Sequence, residues 1–172
     1  MRSRAFTLVE LIVVIVILGI MAAAVAPSVT QSTQGRQRSA AQLVARDLRY
    51  AQARAVATGR RAWVTINPGS ETLTYSEDVS GVATAITDPA TGSQMTTVLG
   101  SAATIDGVAG TAIGTFNGAT TTATIGFDWQ GRPVDSLGAL LTTSQTLTVT
   151  ASGLSTITIT IIAETGAVTI TW

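Results

Sequence analysis

The chain divides by its hydrophobic rhythm into three stretches. Residues 11–26 are sixteen consecutive positions, all apolar except Gly19. With residues 6–10 they make a span of about 20 residues, the length a helix needs to cross a bilayer core. No charge occurs between Leu11 and Gly35. Residues 36–58 are rich in Ala, Gln, Leu and Arg, all good helix formers. Here Ala41, Val44, Leu48, Ala51 and Ala55 follow i, i+3, i+4 spacing and predict one apolar stripe. Gly59 predicts the C-cap. A continuous helix from Phe6 to Thr58 would be about 80 Å long. Its first half is apolar all round, and its second half needs a globular partner for the stripe.

From Arg61 onward the period becomes two. Residues 62–66 and 72–75 flank Asn67-Pro68-Gly69-Ser70, which predicts a hairpin. Residues 79–122 hold seven Gly, and only Asp88 and Asp106 are charged. That composition predicts irregular loops with one or two short strands, one near 96–99. Residues 124–128 read as a strand followed by a turn at Gln130-Gly131. Residues 146–150 and 156–161 alternate Thr with aliphatics, placing Thr on one face and the aliphatics on the other. Glu164-Thr165-Gly166 turns the chain into a last strand, 167–172. The predicted class is α+β, one long N-terminal helix packed on antiparallel sheet.

Composition removes most catalytic chemistry. The chain has ten Arg, ten acids, no His, no Cys and no Lys. A Ser-His-Asp or Cys-His nucleophile system, an ordinary zinc site, a Schiff base and a GK[ST] phosphate loop are all excluded. No carboxylate pair stands out as an acid/base couple, so neither enzyme activity nor a cofactor is expected. The zero net charge conceals strong segregation. Residues 1–35 carry +1, residues 36–61 carry +6 and residues 62–172 carry −7.

The N-terminus has the outline of a secretory signal peptide: Arg2 and Arg4, an apolar core, then Ala22-Ala23-Ala24. Glu10, however, sits where the apolar core should begin, and the helical pattern runs on beyond it. An acid in a membrane helix costs about 2.5–3.5 kcal/mol on insertion scales and normally has a partner. No basic residue lies within the span, and Arg4 precedes it.

Arg4-Ala5-Phe6-Thr7-Leu8-Val9-Glu10-Leu11 resembles the N-terminus of type IV pilins and type II secretion pseudopilins. The resemblance implies cleavage by a prepilin peptidase between Ala5 and Phe6, with methylation of the new N-terminal Phe6. It implies that this amine pairs with Glu10 of a neighbouring subunit, so that the acid sets register in an assembly. The family usually has Gly where this chain has Ala5. Pro27 matches a position where family members often carry a kinking Pro; read alone, it marks the end of the membrane span. Four segments follow: a leader at 1–5, a transmembrane and assembly helix at 6–30, an amphipathic continuation at 31–60 and a periplasmic β-rich domain at 61–172. The positive flank predicts a cytoplasmic N-terminus, and the resemblance implies single-pass insertion in the inner membrane.

Arg36, Arg38, Arg46, Arg49 and Arg54 fall within about 160° of arc opposite the apolar stripe. They admit three readings: a solvated face, contacts with acidic surfaces of neighbouring subunits, or binding of nucleic acid or anionic lipid. A second resemblance lies further on. Residues 48–59 are similar to a helix end of the GspH/FimT group, and 125–133 to its turn ending in Gly131-Arg132-Pro133. Residues 161–168 are similar to its last hairpin. Arg132, the only cation after Arg61, predicts an ion pair with Asp128 or Asp135 that pins this turn. Glu77, Asp78 and Asp88 lack the D-x-D-x-D-G spacing of a calcium loop, so no metal is expected. The resemblances together imply a minor pseudopilin of the H type that primes or caps a type II secretion pseudopilus. A FimT-like minor pilin with a role in DNA uptake and a secreted β domain are the alternatives. The implied partners are other pilins or pseudopilins, the prepilin peptidase and the inner-membrane assembly platform.

Overall fold

The structure, a computed structural model, describes residues 7–88, 91–100, 108 and 110–172, with the backbone alone at 23–30. One helix dominates. α1 (Leu8–Thr58) has 51 residues, about 77 Å at 1.5 Å per residue. Thr7 caps its start, its Oγ1 accepting from the Glu10 N–H at 3.2 Å. Thr7-Leu8-Val9-Glu10 therefore has the Thr-x-x-Glu spacing of a capping box. Gly59 ends the helix at φ 65°, a left-handed position that glycine adopts without steric cost. The helix runs on past Pro27, so this proline does not end it.

Ten strands follow: β1 (Ala62–Asn67), β2 (Thr72–Val79), β3 (Val82–Ala85), β4 (Thr96–Val98), β5 (Thr111–Phe116), β6 (Ala123–Phe127), β7 (Pro133–Val134), β8 (Gln145–Ala151), β9 (Ile157–Ile161) and β10 (Val168–Thr171). They form two antiparallel sheets. The first has the order β3-β2-β1-β6-β7, with β4 also on β2, and the second β10-β9-β8-β5. The 62–75 hairpin, the strands at 124–128, 146–150 and 156–161, and the final strand all form where the alternation predicts them. Residues 79–122 depart from expectation, because three strands form there. In β5, Gly114 makes the sequence read as loop. A Cβ at that position would come within 2.6 Å of Thr148 Oγ1 on β8, so the glycine admits close pairing.

The second half of α1 lies across both sheets. Ala40, Ala41, Val44, Ala45, Leu48, Ala51 and Ala55 are fully buried against Val64, Ile66, Ile125, Leu147 and Ile159 among others. Five of these seven helix residues are alanines, which let the sheets approach the backbone closely. Leu48 is the largest of the seven, and truncating it to Ala should cost about 2–5 kcal/mol.

Candidate functional site

The first four turns of α1 touch nothing among the described residues of the β domain. From Leu8 to Met21 every large apolar side chain is exposed, Leu8 by 76% and Met21 by 62%. Glu10 is exposed at this end, and its carboxylate makes no hydrogen bond or ion pair among the described residues. Ala5 and Phe6 lie outside the described residues, as does the side chain of Pro27. Among the described residues no helical stretch is long and apolar enough to cross a membrane. The described apolar part, residues 8–22, spans about 22 Å, and residues 23–26 of the sequence run fall where only backbone is described.

Below this bare segment, α1 is fastened to the β domain by polar side chains that apolar periodicity does not reveal. Gln37 is 2% exposed; its Nε2 donates to the carbonyls of Val149 (3.1 Å) and Ser155 (2.8 Å), gripping the β8–β9 hairpin. Asp47 is 1% exposed and accepts from Thr97 Oγ1 at 2.6 Å and Tyr75 Oη at 3.3 Å, joining the helix to β4 and β2. Burial, and then the Asp47 charge, push the Tyr75 hydroxyl well above its ordinary pKa, so it stays a donor. Gln52 Nε2 donates to Gly131 O (2.8 Å) and Thr165 O (3.1 Å). It thereby ties two turns to the helix end. These turns also touch each other, since a Cβ on Gly166 (φ 69°) would fall 2.2 Å from Gly131 O.

The five arginines divide. At 100° per residue Arg38 and Arg49 border one edge of the buried stripe, Arg36 and Arg54 border the other, and Arg46 lies between. Arg49 donates to the carbonyl of Val168 at 2.7 Å, covering part of the exposed edge of β10. Arg38 stacks over Trp172, 5.8 Å from the ring centroid. Arg54 pairs with Glu77 at 2.9 Å, and that hydrogen bond raises its pKa above the ordinary arginine value. Arg46 turns back onto buried Asp47 at 2.8 Å. Arg36 is exposed. Three of the five, Arg38, Arg49 and Arg54, thus engage the β domain, and Arg46 pairs within the helix.

Arg132 pairs with Asp128 at 2.8 Å rather than with Asp135, which caps the backbone N–H groups of Leu137 and Ala139. Asp128 Oδ1 also accepts from the backbone of Gln130 and Arg132. Burial alone would raise its pKa; the bonds from Arg132 and Gln130 outweigh this and hold it below the ordinary carboxylate value. Glu77 and Asp78 are engaged by Arg54 and by the Gly81 N–H, and among the described residues no cluster of acids is arranged to hold a metal.

A capped, exposed apolar helix with an acid in its first turn, fastened to a β domain, can now be compared with known proteins. The prokaryotic N-terminal methylation motif matches residues 1–26. The type IV minor pilin FimU of Pseudomonas aeruginosa has 18% identity and a TM-score of 0.54, covering 81% of this chain and 90% of its own. The minor pseudopilin EpsH from the type 2 secretion system of Vibrio cholerae has 15% identity and a TM-score of 0.55, covering 79% and 96%. The chain is pilin-like, in motif and in fold. A search of curated proteins finds no match. In this pilin-like chain, Gln37, Asp47 and Gln52 are anchors that the apolar stripe does not disclose. A Gln at the centre of the apolar stripe and a lone acid among seven arginines are the signals that the sequence offers for them.

Proposed function

We propose that the chain is a minor pilin or pseudopilin, a structural and non-catalytic subunit of an envelope filament. The supporting observation is the bare apolar start of α1. Exposed on every side, it has no partner among the described residues and calls for bilayer first and neighbouring helices afterwards. The prepilin peptidase cuts between Ala5 and Phe6 and the new amine is methylated. Residues 6–30 hold the subunit in the inner membrane with the β domain in the periplasm, until the assembly platform feeds it into the filament. Glu10 of one subunit receives the Phe6 amine of the next. In the finer reading the subunit is an H-type pseudopilin of type II secretion; the FimU likeness keeps a FimT-like minor pilin as the second reading. Three of the five helix arginines bind the β domain and Arg46 pairs with Asp47, which leaves less of that face for nucleic acid. Site-directed cross-linking through the N-terminal helix tests the assembly. Glu10→Ala should insert normally and lose most of its cross-links to major subunits, whereas wild-type yields would sink the amine pairing.

A further inference from the structure

The outer face of the first sheet carries a cleft built around a tryptophan. Trp63 on β1 points away from the core and is half-buried. Its ring lies on Gly126 of β6, where a Cβ would come 2.3 Å from Cε3. The benzo ring of the indole therefore packs against the sheet, and the side chain remains partly open to solvent. Around it lies a cleft of about 360 Å³, within the size range of small-ligand sites. Hydroxyls line it. Those of Ser76, the cross-strand neighbour of Trp63, and Ser136 make no hydrogen bond among the described residues. Thr65 and Thr124 share one hydrogen bond at 3.1 Å and keep further capacity. Asp78 accepts from the Gly81 N–H at 2.7 Å through Oδ1, while Oδ2 lies 4.0 Å from Arg61. A second groove of about 340 Å³ shares Asp78 and Gly81 and reaches Trp129 beside Arg60.

We infer that this cleft binds a neutral saccharide, one pyranose ring laying its apolar C–H face on Trp63 and its hydroxyls meeting Ser76, Ser136 and Asp78. A sugar has an apolar face for the indole and hydroxyls that both donate and accept. The Asp78 carboxylate accepts from hydroxyl groups, and Arg61, 4.0 Å away, offsets part of its charge. The adjoining groove gives room for more than one sugar unit. The second groove is lined by Gly59 at the C-terminal end of α1, away from the apolar segment at its start.

The test uses the full chain in phosphocholine micelles, which carry no sugar headgroup. The tryptophan indole N–H resonances are followed by NMR against cellotetraose, chitotetraose, maltotetraose and oligo-dT. At least one tetrasaccharide should shift Trp63 saturably and leave Trp172 unmoved. Ala83→Gln, an exposed β3 residue lining the cleft, should weaken that binding about tenfold, or 1.4 kcal/mol, with the thermal midpoint unchanged. Trp63→Ala should abolish binding, but it also uncovers Gly126, so the Ala83 variant is the decisive one. No shift of Trp63 by any of the three sugars overturns the inference. So does binding indifferent to Ala83→Gln, or a Trp63 response to oligo-dT alone.

Discussion

Asp47 is the most informative single position for how the rod is held. Its side chain is 1% exposed and receives Thr97 Oγ1 at 2.6 Å and Tyr75 Oη at 3.3 Å, with Arg46 at 2.8 Å. The Arg46 side chain is 70% exposed, so its ion pair adds only about 0–1 kcal/mol. The short bond from Thr97 to a carboxylate is worth about 1.5–3 kcal/mol, and the longer one from Tyr75 less. Tyr75 and Thr97 lie 3.1 Å apart and can satisfy each other when the acid is gone. Asp47→Ala should therefore destabilise the β domain by about 2–4 kcal/mol. Asp47→Asn keeps one acceptor and should cost about 1–2 kcal/mol, and Tyr75→Phe about 1 kcal/mol. Urea unfolding of the full chain in micelles, followed by tryptophan fluorescence, measures all three. Hydrogen exchange at β4 should rise most in Asp47→Ala, because Thr97 is the strand's link to the helix. A cost below about 1 kcal/mol, or equal losses for Asp47→Ala and Tyr75→Phe, would refute the reasoning.

Gly166→Ala forces a side chain against Gly131 O at a φ of 69°; it should cost at least about 2 kcal/mol and break the Gln52 bridge, read as a lowered urea midpoint. The lowered pKa of Asp128 means its stabilisation is full above the ordinary value near 3.9 and is lost as pH falls through the lower folded value. Wild type should therefore lose the Asp128 contribution below about pH 4, and Asp128→Asn should flatten that part of the slope while lowering stability at neutral pH. Arg49→Met keeps most of the stem packing but frees the Val168 carbonyl, and should raise exchange at the β10 edge with a loss of about 1 kcal/mol.

Much of the architecture is legible in the chain because its periods are clean. The switch from helical spacing at Ala55 to alternation at Ala62 brackets the true boundary at Gly59. The Thr-aliphatic alternation at 146–161 specifies two strands and their buried face. β5 is hidden because Gly114 and its threonines make it look like loop, and only its contact with Thr148 explains the glycine. The arginine face is half legible: the arc is a matter of helical geometry, but an arc does not say which residues lie close enough to a sheet edge to reach it. Asp47 escapes notice because a polar residue at the margin of the stripe reads as solvent-facing, and Gln37, though central to the stripe, shows its role only once its partners Val149 and Ser155 are known.

The central claim, that this pilin-like chain is a processed filament subunit, is tested most directly by the mature N-terminus. Mass spectrometry of protein extracted from membranes of the native host should find a chain beginning at N-methylated Phe6, with residues 1–5 removed. A mature chain starting near Val25, as a signal peptidase would leave it, or an unprocessed Met1, would contradict the account.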